Sequence, residues 1–283
     1  LKLKDRVKLV AAMDIKPEAL AAFCAKNGIS GRYDSLEKLL EIEKPDLVSI
    51  CTPPGLHTDQ TIQALRAGAW VLCEKPFVGS LADLDRVEAV EKETGNFACS
   101  VFQWRFGSAA LHYKKLIDAG TFGRALTGAC LTTWYRNDAY YEVPWRGKWK
   151  TELGGCTVGH GIHAMDLFLS FLGDWDEVQG RAAALDRKIE VDDVSGALVH
   201  FKNGAIATIL NSVISPRQET RIRWDFQKAT VEVVSLYHHE PKHWTLSVPE
   251  GAAWAGELKA WITDPAGSSS GHGAQISAIL DDM

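Results

Sequence analysis

From Val7 to Gly120 short apolar runs alternate with amphipathic stretches, a pattern that limits this part of the chain to a parallel α/β sheet. "VKLVAAMD" (7–14) reads as a buried strand, and "KPEALAAFCAKNG" follows as a helix with Pro17 in its first turn and Gly28 beyond its end. "SLEKLLEIE" is a second helix, opened by Ser35 as its N-cap. "PDLVSICTPP" (45–54) is a strand running into a double-proline turn, which neither a helix nor a central strand can hold. Helix "HTDQTIQALRAG", strand "AWVLCEKP", helix "SLADLDRVEAVEKETG", strand "FACSVFQW" and helix "AALHYKKLIDAG" complete the series.

Past about residue 123 the texture changes. "ALTGACLTTWYR", "VSGALVHFKNGAIATILNSV" and "RIRWDFQKATVEVVS" alternate in period two, as half-exposed antiparallel strands do, and Asn203-Gly204 signals a hairpin. One helix, "CTVGHGIHAMDLFLSFLG" (156–173), interrupts them. The expectation is a dinucleotide-type domain over 1–122, followed by an α+β domain over 123–283 with a large open, mainly antiparallel sheet.

The balance of residues excludes several classes. With 46% hydrophobic and 24% charged residues and a net charge of −5, the chain has the composition of a globular protein. It shows no basic block or basic helix face for nucleic acid. No run is long and apolar enough for a membrane span, and the N-terminus lacks a signal peptide's apolar core. The six cysteines are widely spaced, form no C-x-x-C pair and often sit in apolar runs, which fits a reducing cytoplasm.

The strand "AAMD" ends in Asp14, a carboxylate placed as in folds that accept the ribose hydroxyls of NAD and repel a 2′-phosphate. The alternative is that Asp14 caps the helix at Pro17, and Lys16 nearby could tolerate a phosphate. The G-x-G-x-x-G fingerprint expected before this strand is absent. The opening "LKLKDR" reads as the tail of the helix after such a loop, so the loop is cut away, unrecorded or truly lacking.

"ICTPPGLHTDQTIQALRAGAWVLCEKPF" and "GGCTVGHGIHAMDLFLSFLGDW" together resemble the two signature blocks of the Gfo/Idh/MocA family of oxidoreductases, in register from about Val7 to the 230s. The resemblance implies a Rossmann domain and an open-sheet domain, NAD or NADP as cofactor, and a sugar, polyol or related alcohol as substrate. It also implies homo-oligomers paired through the sheet. By the same resemblance Thr52, Pro53, Pro54 and His57 lie along the cofactor, Glu74 and Lys75 form the E-K-P pair with Pro76 holding the turn, and His163 stands beside the substrate hydroxyl. Many relatives carry Asp four residues before that histidine. Here the position is Gly159, with His160 next to it, and the chain stops short of the last helix and strand that relatives carry.

Oxidising an alcohol with nicotinamide needs the hydroxyl proton removed as hydride leaves. Lys75 suits polarisation of that oxygen and proton transfer, with His163 as partner base, His160 as a further catalytic candidate and Glu74 as a charge-balancing group. His160, His163 and Asp166 fall on one helical face, but nothing else supplies a ligand at a diagnostic spacing, so no metal is expected. "WYRNDAYYEVPWRGKW" (134–149) is dense in aromatic rings and arginine. Trp145 and Arg146 are candidates for the cofactor and substrate, Trp134 and Trp149 for core or interface, and Arg105 in "QWRF" for the substrate rim. Two other functions share the fold: a regulator that senses nucleotide or sugar without turnover, and a glycosidase that uses bound NAD transiently.

Overall fold

A computed structural model describes Leu3 and residues 5–283 of the chain, which divides into two compact units, the first ending at Val101 and the second running Phe102–Met283. Leu1, Lys2 and Lys4, part of the expected helix tail, lie outside the described residues. Beside them Arg6 and Val7 donate to the Leu3 carbonyl in a single turn.

The first unit runs β1 (Ala11–Met13), α1 (Pro17–Asn27), β2 (Gly31–Tyr33), α2 (Leu36–Glu43), β3 (Leu47–Ile50), α3 (His57–Arg66), β4 (Trp70–Cys73), α4 (Leu81–Thr94) and β5 (Ala98–Ser100). The capping residues explain the helix limits. Ser35 and Ser80 accept from the amides of Lys38 and Asp83, and Gly28 stops α1 at a φ of +67°. All strand pairs are parallel, but they form two sheets, β1-β2 and β3-β4-β5. In the Rossmann order 3-2-1-4-5-6 these are the outer pair and the far triplet, and no described strand takes the central place between them. Ile50, Leu65, Val71 and Val87 fill the core between β3, β4 and the helices.

The second unit contains α5 (Ser108–Asp118), β6 (Ala125–Thr133), α6 (Ile162–Leu172), β7 (Trp175–Ala183), β8 (Val194–Phe201), β9 (Ile206–Ser212), β10 (Glu219–Phe226), β11 (Thr230–Val234), β12 (Trp244–Ser247) and α7 (His272–Asp282). The seven strands form one sheet in the order β12-β11-β10-β6-β9-β8-β7, antiparallel except for the parallel pair β6-β9. Asn203-Gly204 makes the β8-β9 hairpin, with Gly204 at φ +86°. One sheet face packs on α6, where the indole of Trp224 donates to the Phe168 carbonyl at 3.0 Å. Trp224 and Trp244 stack in the same core at 5.8 Å.

Three expectations differ from the structure. The division falls before α5 rather than at 122/123, because Ala109, Ala110 and Tyr113 of that helix are buried in the second unit's core. "FACSVFQW" is not one strand. Val101 makes the last ladder bond, to Cys73, the Phe102 amide turns to the Gln275 side chain, and Gln103–Phe106 coil into a 3₁₀ turn. The helix expected over 156–173 begins with a π-helical turn, Thr157–Gly161, and becomes α-helical only at Ile162.

Candidate active site

In the first unit the sequence motifs stand where parallel strands end, the edge on which such sheets bind ligands. The T-P-P loop leaves β3 and the E-K-P tripeptide leaves the adjacent β4. His57 joins them. It is buried (1% exposed), and its Nδ1 and Nε2 each lie 2.8 Å from a backbone carbonyl, of Pro76 and Thr52 respectively. The ring thus braces two loops, with a carbonyl against each of its nitrogens. Thr52 donates its hydroxyl to Gln60 at 2.6 Å, Pro53 leads into a short 3₁₀ turn at Pro54–Leu56, and α3 starts at His57 itself. Glu74 and Lys75 are half-buried, the Lys75 amide points to the Glu74 carboxylate at 3.3 Å, and the Lys75–Pro76 peptide is cis.

Asp14 follows β1 and is exposed. It is not the helix cap: Lys16 holds that position, and Asp14 Oδ1 accepts from the Lys16 amide at 2.8 Å, while no described residue bonds its Oδ2.

In the second unit His160 and His163 lie on the π turn and on α6, and this segment is clamped from far along the chain. The Asp192 carboxylate accepts from the amides of Gly155 and Thr157 (2.9 Å each), from the Thr157 hydroxyl (2.6 Å) and from the Cys156 thiol (3.2 Å). Gly155 has no side chain to obstruct this: a Cβ there would overlap the Asp192 backbone. Burial pushes the Asp192 carboxyl up, yet the hydrogen bonds from Thr157, Cys156 and Gly155 outweigh it and hold it below the usual carboxylate range.

His163, buried at 2% exposure, is walled by Phe102, Trp104 and Tyr237 at ring-centre distances of 6.3, 5.6 and 6.3 Å. Trp104 lies also on His239, 4.2 Å away. Burial, with smaller contributions from His243 and His238, lowers the His239 imidazole to about 3, so that ring stays neutral across the working range.

His160 is held differently. Its Nε2 faces the Arg136 Nε at 3.2 Å and the Tyr140 hydroxyl at 3.3 Å. A guanidinium only donates, so Nε2 is an acceptor. Arg146 bonds the Tyr140 hydroxyl, lies over the rings of Tyr140 and Trp145 at 3.9 and 4.3 Å, and pairs with buried Glu152 at 3.3 Å. Glu152 also accepts from the Gly147 amide at 2.6 Å. Its Oε1 is 3.9 Å from where a Cβ on Gly159 would stand, so a carboxylate borders the position that has lost its acid.

Arg105 is committed elsewhere. It sits in the 3₁₀ turn and forks onto Asp166, with Nε donating at 2.6 Å and the second nitrogen also engaged. Burial raises the Asp166 carboxyl against the opposing pull of Arg105. The pair ties this turn to α6, and it takes Asp166 out of any His160–His163 metal trio. Among the described residues no cluster of three or more His, Cys, Asp or Glu could hold a metal ion. Trp134 is core at 7% exposure, its indole donating to Thr220, whereas Trp149 is 56% exposed and not core. The motif reading missed Arg136, Glu152, Asp192, Trp104 and Tyr237. Arg136 lies inside the aromatic stretch 134–149 and Trp104 inside "QWRF", but nothing local gave either a role, and Tyr237 is marked only by the histidine pair in "YHHE" (237–240).

Two family models match this chain. Residues 1–102 match the oxidoreductase family with an NAD-binding Rossmann fold, and residues 110–232 match the GFO/IDH/MocA C-terminal domain. The chain belongs to the Gfo/Idh/MocA family of oxidoreductases. Among curated members of that family it is 28% identical over 221 residues to a 1,5-anhydro-D-fructose reductase of Ensifer adhaerens, covering 75% of this chain and 64% of that protein. It is 29% identical over 222 residues to the myo-inositol 2-dehydrogenase of Thermotoga maritima, covering 75% and 63%. The chain thus spans under two thirds of these Gfo/Idh/MocA relatives. The solved WlbA dehydrogenase of Bordetella pertussis, in complex with NADH and UDP-GlcNAcA, superposes with a TM-score of 0.80 at 27% identity, covering 98% of this chain and 77% of that one.

Proposed function

We propose that this protein is an NAD(P)-dependent oxidoreductase that moves a hydride between nicotinamide and an alcohol or keto carbon of a sugar, polyol or related compound. The observation that carries the reading is Lys75, half-buried at the carboxyl end of β4 beside the T-P-P loop, in a chain of this family. Bound nicotinamide supplies the hydride chemistry. Lys75 polarises the reacting oxygen and His163 takes up its proton, with Glu74 balancing charge beside the lysine. Thr52, Pro53 and Pro54 line the cofactor, and Trp145 and Arg146 serve cofactor and substrate. His160, occupied as an acceptor, anchors rings rather than relaying a proton.

The residues present fit two parts of a dinucleotide. Asp14 offers an exposed carboxylate for the adenosine ribose, which favours NAD over NADP, and the β3 and β4 loops suit the nicotinamide. A glycine cradle for the pyrophosphate is not among the described residues. The test is absorbance of reduced nicotinamide across a panel of sugars and polyols. Turnover that Lys75→Ala abolishes supports the reading. Nucleotide binding with no turnover makes the protein a sensor, and glycoside cleavage without net reduction makes it a glycosidase.

The same reading includes a homo-oligomer. The uncovered face of the large sheet carries Leu198, Ile206 and Leu210 at 44–48% exposure, on the adjacent strands β8 and β9. Sedimentation should give a multiple of the 31.1 kDa chain, and Leu210→Lys should reduce it to the single chain.

A further inference from the structure

The cluster around Tyr140 holds more hydrogen-bond donors than acceptors. A guanidinium offers donors only, and two of them meet there. Arg146 is neutralised by Glu152. Neighbouring Arg187 is neutralised twice, by Asp138 at 3.4 Å and Asp186 at 2.7 Å. Arg136 is different. It donates from Nε to His160 and from Nη1 to the Tyr135 carbonyl at 2.9 Å, and among the described residues no carboxylate pairs with it. Yet it is not a loose surface cation. Its guanidinium lies over Tyr140 at 5.2 Å and Trp134 at 5.9 Å, so packing and two hydrogen bonds fix the plane of the fork while it stays part-exposed.

The acceptor side is short by the same measure. His160 Nε2 has one in-plane lone pair, and both Arg136 and Tyr140 compete for it. Whichever donor loses is left to another acceptor. Of the Glu152 oxygens, one takes the Gly147 amide and the other Arg146. An arginine held in place with no carboxylate of its own among the described residues, and with N–H groups to spare on a rigid aromatic floor, calls for an incoming group rich in acceptor oxygen and negatively charged. A carboxylate or a phosphate matches a planar guanidinium edge with two parallel bonds.

We propose that this cluster binds an oxyanion carried by the sugar, a carboxylate or a phosphate, and that Arg136 is the residue that selects it. The inference deepens the oxidoreductase reading and rests on it for the word sugar. It needs only residues of the second unit, Trp134 to His160. Neutral sugars and polyols are then poor ligands, and the substrate class is a sugar acid or sugar phosphate.

The test is binding of D-glucuronate, D-glucose 6-phosphate and D-glucose to the full chain, followed by tryptophan fluorescence and by calorimetry. At least one of the two anions should bind about tenfold or more tightly than glucose, the effect of one or two charge-assisted hydrogen bonds. The preferred anion identifies the group. Arg136→Met should erase the preference, bringing the anions down to the affinity of glucose for the same variant, and Arg136→Lys, which keeps the charge but loses the fork, should retain part of it. Circular dichroism of each variant confirms that it is folded, and the preference of the unaltered chain stands as evidence if a variant is not. Equal binding of all three, or binding of none, overturns the proposal. Nicotinamide reduction with glucose as readily as with the anions sinks this inference alone. Anion-selective binding with no reduction by any ligand sinks the oxidoreductase reading alone.

Discussion

The candidate loops of the first unit are braced by one neighbouring ring on main-chain carbonyls, and the candidate helix of the second by several side chains from distant parts of the chain. Lys75 stands where β4 ends, and its loop is fastened through the Pro76 carbonyl to His57, nineteen positions before that proline. The segment that carries His160 and His163 depends on Asp192, thirty-five positions after Thr157, and on Arg136, twenty-four before His160. A loop braced by one nearby ring depends on that side chain alone. A helix fixed by remote side chains depends on several, and substitutions far from it in sequence should disturb the second unit more.

The largest expected effect comes from the lysine proposed to act on the reacting oxygen. Lys75→Ala should lower turnover about a thousandfold, the usual scale of acid–base catalysis, with nucleotide affinity nearly kept, as measured by steady-state kinetics and direct nucleotide titration. Next is the remote clamp. Asp192→Ala leaves the Gly155 and Thr157 amides without their acceptor, leaves the Thr157 hydroxyl and the Cys156 thiol only Ser195 and the Asn211 carbonyl, and should cost about 3 kcal/mol in urea unfolding. Because the folded-state pKa of Asp192 is depressed, its contribution is full above the unfolded value and lost as pH falls through the folded one. The unaltered protein should therefore lose stability steeply below about pH 4, and Asp192→Asn should flatten that limb of the curve.

His57→Leu should cost less, about 2 kcal/mol, because it strands two carbonyls rather than a charged network. If it proves costlier than Asp192→Ala, the first unit is the more dependent of the two on a single side chain. The smallest effect is a coupling. Gly159→Asp sets a second carboxylate beside Glu152 and should destabilise the fold, and Glu152→Gln in the same chain should restore about 1 kcal/mol, read from a double-mutant cycle.

These differences explain what could be read from the chain alone. Strand ends, capping serines and the E-K-P turn were legible because each is a local rule: Ser35 caps the helix it precedes, and Lys75 stands where its strand stops. Asp14 was read as cap or ligand, and geometry removes the cap. Arg105 looked available, but nothing in "QWRF" announces Asp166, sixty-one residues away. Arg136, Glu152 and Asp192 carry no motif either. Arg136 and Asp192 are brought near one another by register, which sets the end of β6 and the start of β8 on either side of the end of β9. The π turn escaped notice because its apolar spacing is that of an ordinary helix.

The single parallel seam between β6 and β9 has a kinetic consequence. It sends the ends of β6, β9 and β11 and the starts of β8 and β10 to one rim of the sheet, so Trp134, Asp192, Ser212, Thr220 and Tyr237 become neighbours only after long loops have closed. Helical signal should therefore return early in refolding from urea, and the environment of Trp134 late, since that rim is completed only when the last strands have paired.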